Sequence, residues 1–131
     1  MNRQLAEAAL SLTGVPFRLH GRHRKGGLDC VGLVAEAMQL GDHKPSPPHG
    51  YSLRSTDVSA WLGHAEASGL EQTTDNGDVV LCAVSPWQFH LLVRVSGGFV
   101  HAHAGLGKVV FLPAPLPWPI AVQWRLAEKD S

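Results

Sequence analysis

The sequence predicts an α+β domain in which amino-terminal helices pack on one face of an antiparallel five-stranded sheet. Apolar residues at helical spacing fill the first half of the chain, and short alternating segments bounded by turn residues fill the second half. Helices that precede the strands, rather than alternating with them, are typical of this class. The chain has 131 residues, which fits a single domain over residues 1–131 with one apolar core.

Helices are predicted first at residues 2–13 and then at Cys30–Leu40. In the first helix apolar residues recur every three or four positions, and Gly14 ends the pattern. Asp29 precedes the second helix as a natural N-cap, because its carboxylate accepts hydrogen bonds from the free N–H groups of the first turn. Cys30 is therefore expected at a helix N-terminus.

The middle of the chain leads from helices to strands. The segment Asp42–Ser52 is rich in proline and is expected to form an extended surface loop, because proline neither continues a helix nor pairs in a central strand. A third helix is predicted from an N-cap at Ser55 or Thr56 to Gly69. Five strands follow, at Asp78–Ala83, Phe89–Val95, Phe99–Ala104, Lys108–Leu112 and Ile120–Arg125.

Charge and apolar run length narrow the classes of function. Eleven basic and eleven acidic residues give a formal net charge of zero, which argues against a nucleic-acid partner. No run of about 18 apolar residues is present to span a bilayer, and the amino terminus lacks the apolar segment of a signal peptide. We therefore expect a chain that is made in the cytoplasm, does not insert into membranes and keeps Cys30 and Cys82 reduced.

Cys30 is the first residue with catalytic potential. At a helix N-terminus the backbone N–H groups and the helix dipole favour an anion, and they lower the pKa of a cysteine from about 8.5 to roughly 3.5–7.5. The thiolate is the reactive form of the side chain. The alternative role is that of a small buried core residue. The position directly after Asp29 favours a nucleophile.

A nucleophilic cysteine needs a base, and the strands supply candidates. Gly97-Gly98 suits a two-residue hairpin turn between the second and third strands. If Ser96 pairs with Phe99, the alternation of side chains brings three histidines to one sheet face. These histidines are His90, His101 and His103. Their alternative role is to line the solvent side of the hairpin, and Cys30 favours a Cys/His/His site instead.

The same histidines also suit a zinc hydrolase, because a His-x-His pair plus a third histidine offers three nitrogen ligands. The sequence contains no His-Glu-x-x-His pattern and no second cysteine pair to support that alternative. We therefore expect neither a metal nor a cofactor.

Several segments of the chain carry short motifs, at Gly14–Arg18, Gly27–Val34, Asn76–Leu81, His90–Val93 and Phe99–Ala102. In this order they resemble the motifs of the NlpC/p-sixty cell-wall cysteine peptidases. The resemblance covers roughly residues 3–112, and blocks in the right order are more specific than any one block. The chain departs from the family pattern at Phe17, where tyrosine is usual, and at Val31, where serine is usual.

The resemblance implies a papain-like fold and hydrolysis of amide bonds in peptidoglycan stem peptides. It assigns Cys30 as the nucleophile, His90 as the base and His101 as the residue that orients His90. The predicted hairpin register places His103 nearer to His90, so His103 is the alternative orienting residue. The expected substrate contacts are Arg18, His20, Asp29 and His103.

Variants of this kind look similar to stand-alone members carried by phages and gene-transfer particles. The partners expected from the resemblance are peptidoglycan peptides and phage-like tail proteins, and a phage-like particle would deliver the protein to the cell wall. Beside the zinc hydrolase, two alternatives stay open. One is a catalytically silent wall-binding or tail component, which Phe17 favours, and the other is a Cys/His acyltransferase or amidase with an apolar cleft.

Overall fold

A computed structural model describes residues 1–45, 59–85 and 88–127. Short turns connect the helices and strands in these ranges, and the helices precede the six strands of the main sheet. The helices are α1 (Arg3–Ser11), α2 (Cys30–Leu40) and α3 (Ser59–Ala67). The strands are β1 (Arg22–His23), β2 (Gly27–Leu28), β3 (Leu70–Thr73), β4 (Val79–Ser85), β5 (Gln88–Val95), β6 (Gly98–His103), β7 (Lys108–Pro113) and β8 (Ile120–Leu126).

The first two helices begin where the sequence provides a capping side chain. Asn2 accepts a hydrogen bond of 3.0 Å from the N–H of Leu5 at the start of α1. Asp29 accepts one of 2.8 Å from the N–H of Gly32 at the start of α2. The second helix has the predicted bounds, and the first is slightly shorter than predicted.

The third predicted helix is present as α3, and it ends before Gly69, whose φ of +88° suits glycine. The N-cap predicted at Ser55 or Thr56 lies outside the described residues, as does most of the predicted loop at Asp42–Ser52. Within the described ranges no helix has the length and apolar character needed to cross a membrane.

In the described part of the chain, the main sheet has six antiparallel strands in the order β3-β8-β4-β5-β6-β7, and β1 and β2 form a separate two-stranded sheet. All five predicted strands are present within two residues of their predicted ends. The predicted total of five is wrong because β3, at the edge of the sheet, is added by pairing with β8. Its residues Leu70–Thr73 include a single buried apolar side chain, which is too little alternation to indicate a strand.

The β5–β6 hairpin turns one residue earlier than the sequence predicts. In the structure Val95 pairs with Gly98. The predicted pairing of Ser96 with Phe99 is therefore wrong, and the turn consists of Ser96 and Gly97. Gly97 supplies the positive φ of +79° that the turn requires. Gly98 lies in the strand, where a Cβ would collide with a carbonyl oxygen of β7.

Each face of the main sheet carries its own apolar cluster, and β5 contributes to both through alternate side chains. The helix-side cluster packs α1 and α2 on the sheet and includes Leu5, Leu12, Cys30, Leu33, Leu91, Val93 and Val100. The outer cluster lies on the other face and consists of Val80, Cys82, Leu92 and Phe99, with Leu112, Leu116 and Trp118 packed against it.

A buried polar contact fastens the amino terminus to β8. The carboxylate of Asp78 accepts hydrogen bonds from the N–H of Asn2 (2.6 Å) and from the N–H of Leu126 (2.9 Å). The side-chain amide of Asn2 donates to the carbonyl of Leu126 at 3.0 Å. These bonds satisfy the buried carboxylate and hold α1 against the sheet. The three residues that form them are distant from Cys30 in the sequence.

Candidate active site

Asp29 fixes the loop in front of α2. The side chain is fully buried, at 0 % exposed, and its second carboxylate oxygen accepts a hydrogen bond of 2.7 Å from the N–H of His20. The guanidinium of Arg22 lies 3.3 Å from the other oxygen. Together with the cap on α2, these contacts tie residues 18–25 to the helix and set the position of Cys30. We call residues 18–25 the basic loop, because they include Arg18, Arg22, Arg24 and Lys25.

Cys30 begins α2 and is buried, with 2 % of its surface exposed. Burial raises the pKa of the Cys30 thiol to about 12, and the charge of Asp29 adds to this effect. The backbone N–H groups of Leu91, Val31 and Cys30 lower the pKa, the first most strongly. The lowered pKa expected at a helix N-terminus is therefore wrong, because loss of hydration outweighs the N–H groups.

The backbone N–H that most lowers the pKa of the predicted nucleophile lies next to the predicted base in the sequence. The N–H that most favours the thiolate belongs to Leu91, which directly follows His90 on β5. The fold thus brings the start of α2 against the strand that carries the base. Cys30 belongs to the helix-side cluster, whereas the ring of His90 packs near Trp118 of the outer cluster.

The three predicted histidines meet on the outer face of the sheet. The ring centroids of His90 and His101 are 5.9 Å apart in an edge-on arrangement, and His101 stacks on His103 at 5.2 Å. The indole of Trp118 lies against the first two rings. We call His90, His101, His103 and Trp118 the histidine group.

Few hydrogen bonds hold the imidazoles. His101 is 1 % exposed, and within the described ranges neither of its ring nitrogens has a hydrogen-bond partner. Nδ1 of His90 is also buried without one, and its Nε2 lies 3.3 Å from Nε2 of Gln88. Nδ1 of His103 accepts a hydrogen bond of 3.0 Å from the N–H of Leu106. In the described part of the chain, the Cys30–His90 and His90–His101 hydrogen bonds of a triad are thus not formed.

Burial controls the charge of His90 and His101. It lowers the pKa of His101 to about 4, and repulsion from His90 and then His103 adds to the effect. Burial also lowers the pKa of His90, with a smaller contribution from His103. Both rings are therefore neutral at pH 7, which is the form of imidazole that accepts a proton.

The four predicted substrate contacts differ in how far their side chains are exposed to solvent. Arg18 and His20 are exposed on the loop that precedes Cys30, and His103 is half-buried at the edge of the histidine group. Asp29 is enclosed and bonded within the protein, which fits a positioning role. Substrate binding by all four residues stays a prediction.

Phe17 stands where the family that the sequence resembles usually has tyrosine, and its ring packs against the core of the protein. Its ring is half-buried against the helix-side cluster, and its N–H donates to the carbonyl of Gly107 at 2.8 Å.

Among the described residues, no group of three or more histidine, cysteine, aspartate or glutamate side chains is arranged to hold a metal ion.

The sequence does not mark Trp118 or Gln88 as part of this site. Trp118 lies in the proline-rich connection 113–119, which reads as a link between strands. A tryptophan in such a link is itself a signal, because so large an apolar ring needs a surface to cover. Gln88 is two residues before His90 and therefore on the same strand face, which the sequence does indicate once β5 is assigned.

No protein-family model and no curated protein matches the chain. Among solved structures, NlpC1 from Trichomonas vaginalis is similar, with a TM-score of 0.65 and 20 % sequence identity over 93 % of this chain. The chain spans 42 % of the length of that protein. This likeness shows an NlpC-like fold and agrees with the predicted α+β class.

Proposed function

We propose that this protein is a cysteine peptidase that hydrolyses amide bonds in peptidoglycan stem peptides. Cys30 is the nucleophile, His90 the general base and His101 the residue that orients His90. The observation that carries the proposal is the place of Cys30 at the start of α2, where the N–H of Leu91, directly after His90, lowers the pKa of the thiol. The NlpC-like fold supports the class of reaction.

The first half of the reaction forms a thioester. The sulfur of Cys30 attacks the carbonyl carbon of the scissile amide while His90 takes the thiol proton. The backbone N–H of Cys30, at the start of α2, is suited to stabilise the oxyanion. His90 then gives its proton to the leaving nitrogen, the C–N bond breaks, and the amine departs.

The second half restores the enzyme. Water attacks the thioester carbonyl while His90 accepts one of its protons, and the C–S bond breaks. The carboxylic acid leaves, and the proton held by His90 returns to the sulfur of Cys30. Neutral His90 is the form required at the start of both halves, and burial favours that form.

The raised pKa of the thiol shapes this mechanism. With a pKa of about 12, Cys30 is protonated at neutral pH before substrate binds. Proton transfer to His90 must therefore accompany the attack, rather than precede it in a stable ion pair. Cys30 belongs to the helix-side cluster and the ring of His90 packs near Trp118 of the outer cluster, so the two side chains must approach each other before this bond can form. Hydrogen bonds between catalytic groups often form only in the complex with substrate, and we expect the Cys30–His90 bond to do so.

The basic loop offers a binding surface for the charged ends of the substrate. Arg18 and His20 are exposed there, and Asp29 anchors the same loop to α2. We assign the recognition of substrate carboxylates to Arg18, with His20 and His103 at the margins of the site. Delivery to the wall by a phage-like particle, with tail proteins as partners, follows from the sequence resemblance.

A catalytically silent wall-binding or tail component is the second candidate. The observation in its favour is that the Cys30 thiol is 2 % exposed and makes no hydrogen bond with His90. Such a component needs the fold and the exposed loop, but it does not need a thiol that reacts.

Mass spectrometry of muropeptides distinguishes the two candidates. Purified wild type is incubated with muropeptides beside Cys30→Ala and the matched control Cys82→Ala, which removes the other buried thiol. Cleavage by the wild type and Cys82→Ala, but not by Cys30→Ala, is the expected result and identifies the bond. Muropeptides that stay intact with the wild type yet bind to it favour the silent component.

A further inference from the structure

One aromatic side chain outside the proposed triad contacts both of its histidines. The centroid of the Trp118 ring lies 6.3 Å from that of His90 and 5.8 Å from that of His101, with interplanar angles of 61° and 54°. Tilted and edge-on contacts of this kind direct the positive edge of one ring toward the face of the other. A single indole therefore touches the base and the residue that orients it.

The backbone around Trp118 is tied to the sheet on both sides. The N–H of Ala114 donates to the carbonyl of Gly97, and the N–H of Ala83 donates to the carbonyl of Pro119, both at 3.1 Å. Pro119 directly follows Trp118, so the second bond fixes the indole close to its point of attachment. The ring packs against the outer cluster, which gives it an apolar surface beneath the histidines.

The two histidines have few hydrogen-bond restraints, and the one polar contact described for them joins Nε2 of His90 to Nε2 of Gln88 at 3.3 Å. Both ring nitrogens of His101 and Nδ1 of His90 are buried without hydrogen-bond partners among the residues that the structure describes. In most sites a histidine is oriented by a hydrogen bond to one of its nitrogens. Here ring contacts are the observed restraint on His101, and Trp118 provides one of them.

We propose that Trp118 is a positioning residue that holds the His90 and His101 rings against each other and keeps water from them. Its catalytic meaning rests on the proposed function, whereas the ring arrangement does not depend on any substrate. Removal of the indole would admit water to the imidazoles and free them to rotate, so that both protonate more easily.

The other groups that face the pair do not replace this role. His103 on β6 stacks on His101, and Cys82 on β4 pairs with His90 across the strands. Arg94, further along β5, lies over the ring of Phe99 at 4.9 Å and acts on Cys82. The charged groups that act on the pKa of His90 and His101 are other imidazoles, and these lower the pKa of both rings. Trp118 carries no charge, so it affects these pKa values mainly by controlling the access of water to the rings.

The test is a pH titration of the imidazoles by long-range ¹H–¹⁵N NMR, without substrate. The variants are Trp118→Leu, Trp118→Phe and the control Trp124→Phe, which alters a buried tryptophan of the helix-side cluster. We expect the midpoints of His90 and His101 to rise by about one pH unit in Trp118→Leu. Trp118→Phe should largely restore the wild-type midpoints, and Trp124→Phe should leave them unchanged.

Wild-type NMR provides a result that does not depend on any variant folding. Nuclear Overhauser effects between the Trp118 indole and the His101 ring are expected, and their absence would overturn the proposal. Unchanged midpoints in a folded Trp118→Leu protein would overturn it as well.

Muropeptide kinetics separate this proposal from the proposed function. A folded Trp118→Leu enzyme should lose kcat by about tenfold or more with little change in KM, because ring orientation acts on the chemical step. Shifted midpoints in a protein whose wild type cleaves no muropeptide would support the role of Trp118 and reject the peptidase. A loss of kcat with unshifted midpoints would reject the role of Trp118 and keep the peptidase.

Discussion

The Cys30 side and the histidine side of the candidate site are ordered by different forces. On the Cys30 side, Asp29 caps α2 and binds the preceding loop, while N–H groups face the sulfur. On the histidine side, buried imidazole nitrogens have no hydrogen-bond partners and the rings rest on one another and on Trp118. The loop and the helix that carry the nucleophile are thus held by hydrogen bonds of Asp29, and the imidazoles of His90 and His101 are held mainly by packing.

This difference predicts how each side responds to substitution. Loss of a carboxylate on the Cys30 side leaves buried donors without partners, which lowers the free energy of unfolding. Changes on the histidine side remove few hydrogen bonds, so they should affect catalysis and the response to pH more than folding. The predictions below test this contrast, in order of expected effect.

Substitution of each histidine by glutamine should rank their roles. We expect kcat/KM to fall by about 10³-fold in His90→Gln, because the general base is lost, and by about tenfold to a hundredfold in His101→Gln. His103→Gln should stay within about threefold of the wild type. Rates of muropeptide cleavage measure all three, and a greater loss in His103→Gln than in His101→Gln would transfer the orienting role to His103.

The two buried carboxylates allow a matched comparison of stability. Asp29→Asn and Asp78→Asn should each lower the free energy of unfolding by about 2–4 kcal/mol, because each leaves buried polar groups poorly satisfied. Urea denaturation measures this change. Only Asp29→Asn should also reduce the activity of the folded fraction, since Asp78 holds α1 and β8 rather than Cys30. Equal activity of the two variants would show that Asp29 does not position the nucleophile.

Acid should destabilise the protein through His101. Its pKa is about 4 in the folded state and about 6.5 when unfolded, so the unfolded chain binds the proton first as the pH falls. Stability from the neutral ring is therefore complete above about pH 6.5 and is lost progressively down to about pH 4, by up to about 3 kcal/mol. His101→Phe should lose less stability than the wild type between pH 7 and pH 4.5 in urea titrations. Parallel losses in both proteins would contradict the assignment.

Alkylation should be slow at both thiols. Burial raises the pKa of Cys30 to about 12 and that of Cys82 to about 11, so little thiolate exists at pH 7.5. We expect iodoacetamide to label each cysteine of the native protein at least about a hundredfold more slowly than in urea, measured by peptide mass spectrometry. Rapid native labelling of Cys30 alone would show that its pKa is lowered in solution.

Local signals in the sequence predict much of the fold. The cap at Asp29 and the apolar face that follows it give the bounds of α2 as observed. The strand β3 escapes prediction because it is defined by pairing with β8, which is distant in sequence. Gly97-Gly98 predicts the hairpin but not its register, because one glycine serves the turn and the other serves a close approach to β7.

The sequence predicts which residues form much of the candidate site, but it does not predict the pKa values of their side chains. The spacing of His90, His101 and His103 anticipates their common face, and the motif around Cys30 anticipates its place at the start of α2. The pKa of Cys30 depends on how completely the fold excludes water, which no local pattern reveals. The contact of Trp118 likewise depends on where a connection returns over the sheet.

The most direct test of the central claim is to trap the thioester. Wild type is mixed with muropeptides, quenched in acid within the first turnovers and mapped by peptide mass spectrometry. The proposed function predicts an acyl adduct on the peptide that contains Cys30 and none on the peptide that contains Cys82. Product that accumulates without any adduct, together with full activity in Cys30→Ala, would contradict it.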